Sequence, residues 1–427
     1  MKSIIARELE KAGASVPVAF EVTFADGTRY RNREGPTSFS VRFKDRGVEL
    51  GIVAFGHIGM LEGYFDGSID VEGDFRAALH AGMYSGLDSA TPLVAHRNRW
   101  HEFRKSNASR GQAKKNARAH YGLGAEFYRL WLDDPLMMYT CAYWNEGTRS
   151  LEEAQANKIE HVCRKVRLSP GESVVDIGSG FGGFMFQAQQ RYGVSVTGVN
   201  TTTEQVVWLD QEIRRRGLDG RLKVVEADFR DAFGPFDKVV SIGTLEHAGR
   251  DQLREVVKAH ADFLKPGGLG MLHFIGHVGK RDTEFFIREH VFPGGWIPSL
   301  AETIVAMEDF GLEIVDIENL RRHYALTLDA WAERFDRNWE RIRALDPEKF
   351  TERFRRIWRT YLVGCAEMFR SPAQQTHLFQ IVFSKGNITD RNYPMSRSFL
   401  YREGTPKGAD ARELLPSSGV PRRPVPA

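Results

Sequence analysis

The chain of 427 residues has no run of about 18 apolar residues, so no helix is expected to cross a membrane. Its N-terminus, Met1-Lys2-Ser3-Ile4-Ile5-Ala6-Arg7-Glu8, lacks the long apolar core and cleavage pattern of a signal peptide, and the expected location is the cytoplasm. Only three cysteines occur, Cys141, Cys163 and Cys365. They are odd in number and far apart, which excludes a disulfide framework and a zinc cluster, and no metal site is expected. Charge of one sign is also missing: the net charge of +3 demands no polyanionic partner, so any anion-binding argument must rest on local clusters.

What is present is an ordinary globular composition, 42% hydrophobic and 27% charged, in a length that allows about two to three domains. The most informative stretch runs from Glu172 to Gly183. Val174, Val175 and Ile177 read as a buried parallel strand that ends in a turn with Gly178, Gly180, Gly182 and Gly183. Glycine allows positive φ and lets a ligand approach the backbone. Phe184 to Tyr192 reads as a helix starting at that turn, so strand, turn and helix make a nucleotide-type site at a sheet edge. The carboxylate of Asp176 before the glycines suits a zwitterionic amino-acid tail better than a pyrophosphate, which it would repel. Asp176-x-Gly178-x-Gly180 resembles motif I of the class I S-adenosylmethionine methyltransferases.

The flanking pattern supports an α/β sheet. Strands are expected at Val194–Val199, Leu222–Val225, Phe236–Ile242, Leu269–His273 (after a Lys265–Gly268 turn) and Gln380–Ser384, with a helix over Thr203–Arg216. The strand ends then carry Asp176, Asn200, Asp228, Glu246 and His273, with Asp228 placed to accept from an adenine amino group. Helices are expected over Glu284–Val291 and Ser299–Asp309, and one long helical stretch over Leu328–Arg370. Upstream, residues 1–92 read as a small α+β packing or lipid-docking domain. It has an Asp-Gly hairpin at Val18–Tyr30, strands at Phe39–Phe43 and Val48–Val53, and a helix over Phe75–Met83.

Residues 93–120 read as a basic linker. Eight Arg and Lys residues stand against Glu102 there, with Trp100 and Phe103 interleaved. Solvated charge is one reading and a patch for anionic lipid headgroups is another, each basic residue near such a surface being worth about 1 kcal/mol. No nucleic-acid motif accompanies the patch. The domain of residues 121–386 follows, and then an Arg- and Pro-rich tail over 387–427, expected to be disordered from Leu415.

Tyr139–Trp144, Asp176–Gly183, Leu245–Gly249, Leu272–Gly276, Val291–Gly295 and Tyr324–Leu328, in this order and spacing, resemble the cyclopropane-fatty-acyl-phospholipid synthases. Gly63–Gly67 resembles their N-terminal domain. The resemblance implies a Rossmann-like class I methyltransferase sheet with helical insertions and a small N-terminal α+β domain. It implies an enzyme that transfers a methyl(ene) group from S-adenosylmethionine to the double bond of a phospholipid acyl chain.

By the same resemblance, bicarbonate would sit at Cys141, Glu246, His273, Ile275 and Tyr324. The cofactor would sit at Tyr139, Thr140, Gly178, Gly180, Gln205, Phe229 and Arg230, with Asp176, Asn200 and Asp228 beside it. Ser179, Phe181, Thr140, Asn200 and Phe229 replace the family's usual Cys, Trp, Ser, Thr and Tyr or Trp. The implied partners are an unsaturated acyl chain and the inner membrane face, bound peripherally, with a homodimer as the candidate assembly and no nucleic acid. Methyl-branched or methylene products, and a small-molecule methyltransferase, stay open as alternatives.

Overall fold

The computed structural model describes residues 2–83, 92–107, 109–231 and 234–401. The tail expected to be disordered from Leu415 lies outside them. Two sheets organise the chain. The smaller contains β1 (Ala19–Thr23), β2 (Arg29–Arg31), β3 (Thr37–Phe43) and β4 (Ile69–Gly73) in the order β2-β1-β3-β4. The hairpin of β1 and β2 forms as expected, with Gly27 at φ 84° in the turn.

Val48–Val53 is a helix and not the expected strand: it lies within Arg46–Phe55. Asp45 caps it by accepting from the Val48 amide at 3.1 Å. Val48 and Ile52 are four residues apart and share the buried face, which a short apolar run cannot distinguish from a strand. The following helix, His57–Asp66, crosses it closely enough that a Cβ on Gly59 would lie 2.2 Å from the Gly51 carbonyl oxygen.

The larger sheet contains β5 (Ser173–Ile177), β6 (Ser195–Asn200), β7 (Leu222–Glu226), β8 (Phe236–Ile242), β9 (Leu264–His277), β10 (Leu312–Asn319) and β11 (Thr376–Lys385). Its order is β10-β11-β9-β8-β5-β6-β7. The strands from β7 to β9 are parallel, while β11 runs antiparallel between β9 and β10. This is the class I methyltransferase sheet, with its reversal of strand order at β5. Two differences from the sequence reading concern its edge. The Lys265–Gly268 turn is a bulge inside β9, since Phe236 pairs with Leu264 while Lys238 pairs with Leu269. The edge strand β10 was not expected, because its buried and solvent-facing residues alternate too weakly (Leu312 and Asp316 are buried, Glu318 half-buried).

The expected long helix over Leu328–Arg370 is three: Arg321–Arg337, Trp339–Leu345 and Glu352–Arg370. The helix expected over Glu284–Val291 forms from Phe285 on, its end, Ile287–Val291, being wound wider as a π-helical turn. The basic stretch of residues 93–120 is built of two helices, Pro92–Lys105 and Arg110–Tyr121.

The N-terminal unit does not fold around a separate core. One apolar cluster runs from Ile5, Phe20 and Phe39 through Phe65 and Phe286 to Tyr324, Trp331 and Trp358. Polar ties rim this contact. Arg76 pairs with Asp329 at 2.5 Å and Glu367 at 2.7 Å, and Arg356 donates to the Tyr64 carbonyl at 2.8 Å. Because Gly59 and Gly51 let two helices touch, Gly59→Ala should overpack that crossing and cost about 1–3 kcal/mol. Urea denaturation checks this, and an unchanged midpoint would count against the close crossing.

Candidate active site

The glycine turn sits at the carboxyl end of β5. Gly178, Gly180 and Gly182 take φ of 81°, 53° and 78°. At Gly178 the requirement is steric as well as conformational, since a Cβ there would stand 1.9 Å from Thr244 Cγ2. Thr244 follows β8, so the turn is pressed against its neighbour and leaves a cavity on its other side. All ten sequence-predicted cofactor residues line that cavity: Tyr139, Thr140, Asp176, Gly178, Gly180, Asn200, Gln205, Asp228, Phe229 and Arg230. Asn200 ends β6 and donates to Gln205 Oε1 at 3.0 Å, while its own Oδ1 accepts from the Thr202 amide at 2.9 Å. The Asp228 carboxylate is occupied by Arg230, with Nε and Nη2 each at 2.7 Å, which holds its pKa down against burial. An adenine amino group would therefore share Asp228 with Arg230.

A second cavity lies behind the first. Cys141, Glu246, His273, Ile275 and Tyr324 all line it, although they come from a loop, a 3₁₀ turn, β9 and a helix. Glu246 Oε1 accepts from the Ile275 amide at 2.6 Å, while its Oε2 is buried without a partner. Burial pushes its carboxyl up to about 7. His273 is 1% exposed; Nδ1 faces Gln380 Nε2 at 3.1 Å and Nε2 is buried without a partner. Burial, with Lys158 and Lys165 nearby, drives its pKa well down, so the ring is neutral. The Cys141 thiol faces the Ala142 carbonyl at 3.3 Å, and burial raises its pKa far above the usual thiol value. A thiolate nucleophile is excluded there.

The two cavities share Tyr121, Tyr139, Thr140, Gly243, His247 and Phe292. The Tyr139–Cys141 segment forms the partition. Gln155 donates to the Thr140 carbonyl at 2.9 Å and Lys158 to the Thr140 hydroxyl at 2.9 Å. Several of these residues carried no signal in the sequence reading. Asn107 and Asn116, in the basic stretch, line the first cavity, and Asn107 donates to the His247 carbonyl at 2.6 Å. Tyr121 and His247 meet at 2.8 Å. No periodicity marks such residues.

A family model described as mycolic acid cyclopropane synthetase matches residues 108–381. The chain belongs to that family of enzymes. A probable fatty acid methyltransferase of Pseudomonas putida is 34% identical over 355 residues, 79% of this chain and 85% of that protein. The cyclopropane-fatty-acyl-phospholipid synthase of Escherichia coli K12 is 33% identical over 368 residues, 82% and 89% of the two chains. Among solved structures, the mycolic acid cyclopropane synthase CmaA1 complexed with SAH and CTAB superposes with a TM-score of 0.59 at 31% identity, over 64% of this chain and 98% of that one. The matched region of this cyclopropane synthetase homologue contains both cavities and leaves the N-terminal sheet outside.

The state of Glu246 is measurable without substrate. Its folded pKa of about 7 lies above the ordinary carboxyl value of 4.5, so the unfolded chain loses this proton first as pH rises. The buried carboxyl therefore costs nothing below about pH 4.5, costs progressively more up to about pH 7, and its cost is constant above. Glu246→Gln removes the titration. Relative to wild type, the variant should be more stable at pH 8 than at pH 5 in urea denaturation; an equal difference at both pH values would refute burial of the carboxyl.

Proposed function

We propose that the chain transfers a methyl(ene) group from S-adenosylmethionine to the double bond of an unsaturated phospholipid acyl chain, giving a cyclopropane. The observation that carries this is the pair of unpartnered buried atoms, Glu246 Oε2 and His273 Nε2, in an otherwise apolar cavity that shares a wall with the glycine-turn cavity.

The cofactor cavity fits S-adenosylmethionine. Gly178 and Gly180 leave room at the turn, and the wall supplies carboxylate, amide and aromatic groups for an amino-acid tail, a ribose and a base. The cofactor supplies an electrophilic methyl group next to the partition. The residues of this chain then hold the alkene in line with it. Such positioning brings the reacting carbons to about 3–3.5 Å and supplies much of the rate. Tyr121, Tyr139 and Phe292 exclude water from the junction and offer aromatic faces to positive charge on the chain.

The second cavity fits bicarbonate. Neutral His273 and the Tyr324 hydroxyl offer donors, and Glu246 Oε2 offers an acceptor for the one O–H of that ion. A bicarbonate there supplies a base beside the acyl chain. Glu246 itself is poorly suited, since one oxygen is held by the Ile275 amide and the carboxyl titrates near 7. Loss of a proton from the transferred methyl group closes the ring.

The helix Pro92–Lys105 supports action at a lipid surface. Trp100 is 56% and Phe103 82% exposed, with the Arg104 guanidinium 5.5 Å from the Trp100 ring. The basic residues of the next helix are partly used inside the protein: Arg110 pairs with Asp231 at 2.6 Å and Lys114 with Glu226. The aromatic ridge therefore outweighs the charge run as the surface anchor. Among the described residues no helix is long and apolar enough to cross a membrane. Phe103→Asp should weaken sedimentation with anionic phosphatidylglycerol vesicles while leaving turnover of a detergent-solubilised acyl substrate unchanged. Equal vesicle binding would remove the ridge from the surface.

Lipid mass spectrometry of cells with and without the chain tests the reaction. The expected result is a gain of about 14 mass units per acyl chain, one CH₂, in a product that resists hydrogenation. No gain would sink the proposal, and a product that takes up hydrogen as an alkene would move it to methylene branching.

A further inference from the structure

His273 and Gln380 are direct partners across β9 and β11, and Gln380 pairs in turn with Glu318 on β10. A row of three polar side chains thus crosses an apolar sheet edge toward the second cavity. Gln380 is 0% exposed, and its Oε1 has no partner. Its one hydrogen bond is from Nε2 to His273 Nδ1 at 3.1 Å. An amide NH₂ can only donate. With the amide in this orientation, the ring nitrogen it meets presents a lone pair, and in a neutral imidazole the proton is then on the other nitrogen.

We infer that Gln380 is a positioning residue that fixes His273 as the Nε2–H tautomer, so that an N–H donor, and not a lone pair, faces the Glu246 cavity. This rests on the reading of that cavity as an anion site only for its purpose, not for its geometry. The consequence is chemical. With its proton on Nε2, His273 can donate to an oxyanion but cannot remove a proton from the acyl chain. The ring is thereby withdrawn from acid–base work and becomes a fixed donor. A second-sphere partner commonly sets which imidazole nitrogen carries the proton. Burial of the ring and the neighbouring Lys158 and Lys165 keep it from taking a second proton. Gln380 can have no direct part in the reaction, because it lines neither cavity.

Nitrogen-15 correlation spectra of histidine-labelled protein test this directly. The His273 signal is identified by its loss in His273→Gln. The wild type should show His273 with a protonated Nε2 and an unprotonated Nδ1. Gln380→Glu places an acceptor at Nδ1 and should move the proton there; Gln380→Met removes the partner and should leave a mixture. In parallel, kcat should fall by about tenfold or more in Gln380→Met, the scale lost when an outer partner that orients a histidine is removed, with cofactor affinity by calorimetry unchanged. A wild-type Nδ1–H tautomer would overturn the inference without any variant. So would an unchanged tautomer in a folded Gln380→Met. If activity proves indifferent to bicarbonate while wild-type His273 still shows Nε2–H, the anion reading fails and the tautomer assignment is supported.

Discussion

One buried ammonium organises the region on which both cavities depend. Lys158 is fully buried and donates to Thr140, on the segment that partitions the cavities. Its pKa is lowered to about 8 by burial, with Asp133, Cys141 and Asp176 opposing the shift. Asp133 and Asp176 are themselves pushed up to about 7 by burial, against the pull of Lys158. None of these groups would keep its charge alone in an apolar interior; together they make a charge-sharing set. Asp133 Oδ1 accepts from the Met138 amide at 2.9 Å, while its Oδ2 is buried without a hydrogen-bond partner. Lys158 thereby joins the helix Leu151–Lys165 and the partition into one unit through its bond to Thr140, with the Asp176 carboxylate in its field. That unit also tolerates Met137 at φ 49°, a backbone state costly for a non-glycine residue unless its surroundings impose it.

The N-terminal sheet serves this unit from outside. Its apolar face is continuous with the aromatic layer under Tyr324 and Trp358, so the wall of the second cavity is backed by residues from both ends of the chain. His120 shows how tightly that layer is set. Its ring stacks between Tyr139 and Trp358 at 5.5 and 5.4 Å, and its Nδ1 meets the Val291 carbonyl at 2.7 Å. The wide turn Ile287–Val291 supplies that carbonyl, and Phe292 immediately after it enters both cavities.

What the sequence made legible follows from how local each signal was. The strand–glycine–helix unit at Asp176–Gly183 is decided by neighbours in sequence, and its strand and helix appear at the expected residues. The helix Arg46–Phe55 was misread because the spacing of four between Val48 and Ile52 satisfies both periods, and only the crossing at Gly51 and Gly59 breaks the tie. The edge strand β10 escaped because its side chains face a charged cluster, in which Glu318 meets His161 at 2.7 Å and Lys165 at 2.6 Å, so it shows no apolar alternation. Of the five residues of the second cavity, Glu246 and His273 were legible as strand ends, and Cys141, Ile275 and Tyr324 only through the family resemblance. Cys141 and Tyr324 are 183 positions apart, and no spacing rule joins a loop cysteine to a helix tyrosine. Gln380, inside an apolar strand, looked like one more residue of a buried run.

The partition also separates two electrostatically different cavities. On the cofactor side the walls are polar and Asp228 keeps its charge through Arg230. On the other side every titratable group in contact with the cavity is driven toward its neutral form: Glu246 up, His273 down, Tyr324 and Cys141 up. A permanent carboxylate or thiolate there would compete with the alkene for an electrophilic methyl group, or would trap positive charge on the chain. Burial removes the Cys141 thiolate and disfavours the Glu246 carboxylate while leaving hydrogen-bonding capacity at Glu246 Oε2 and His273 Nε2. The cavity is thus selective by what it desolvates. It presents donors and an acceptor for a small oxyanion and denies the reacting carbon any covalent partner of its own.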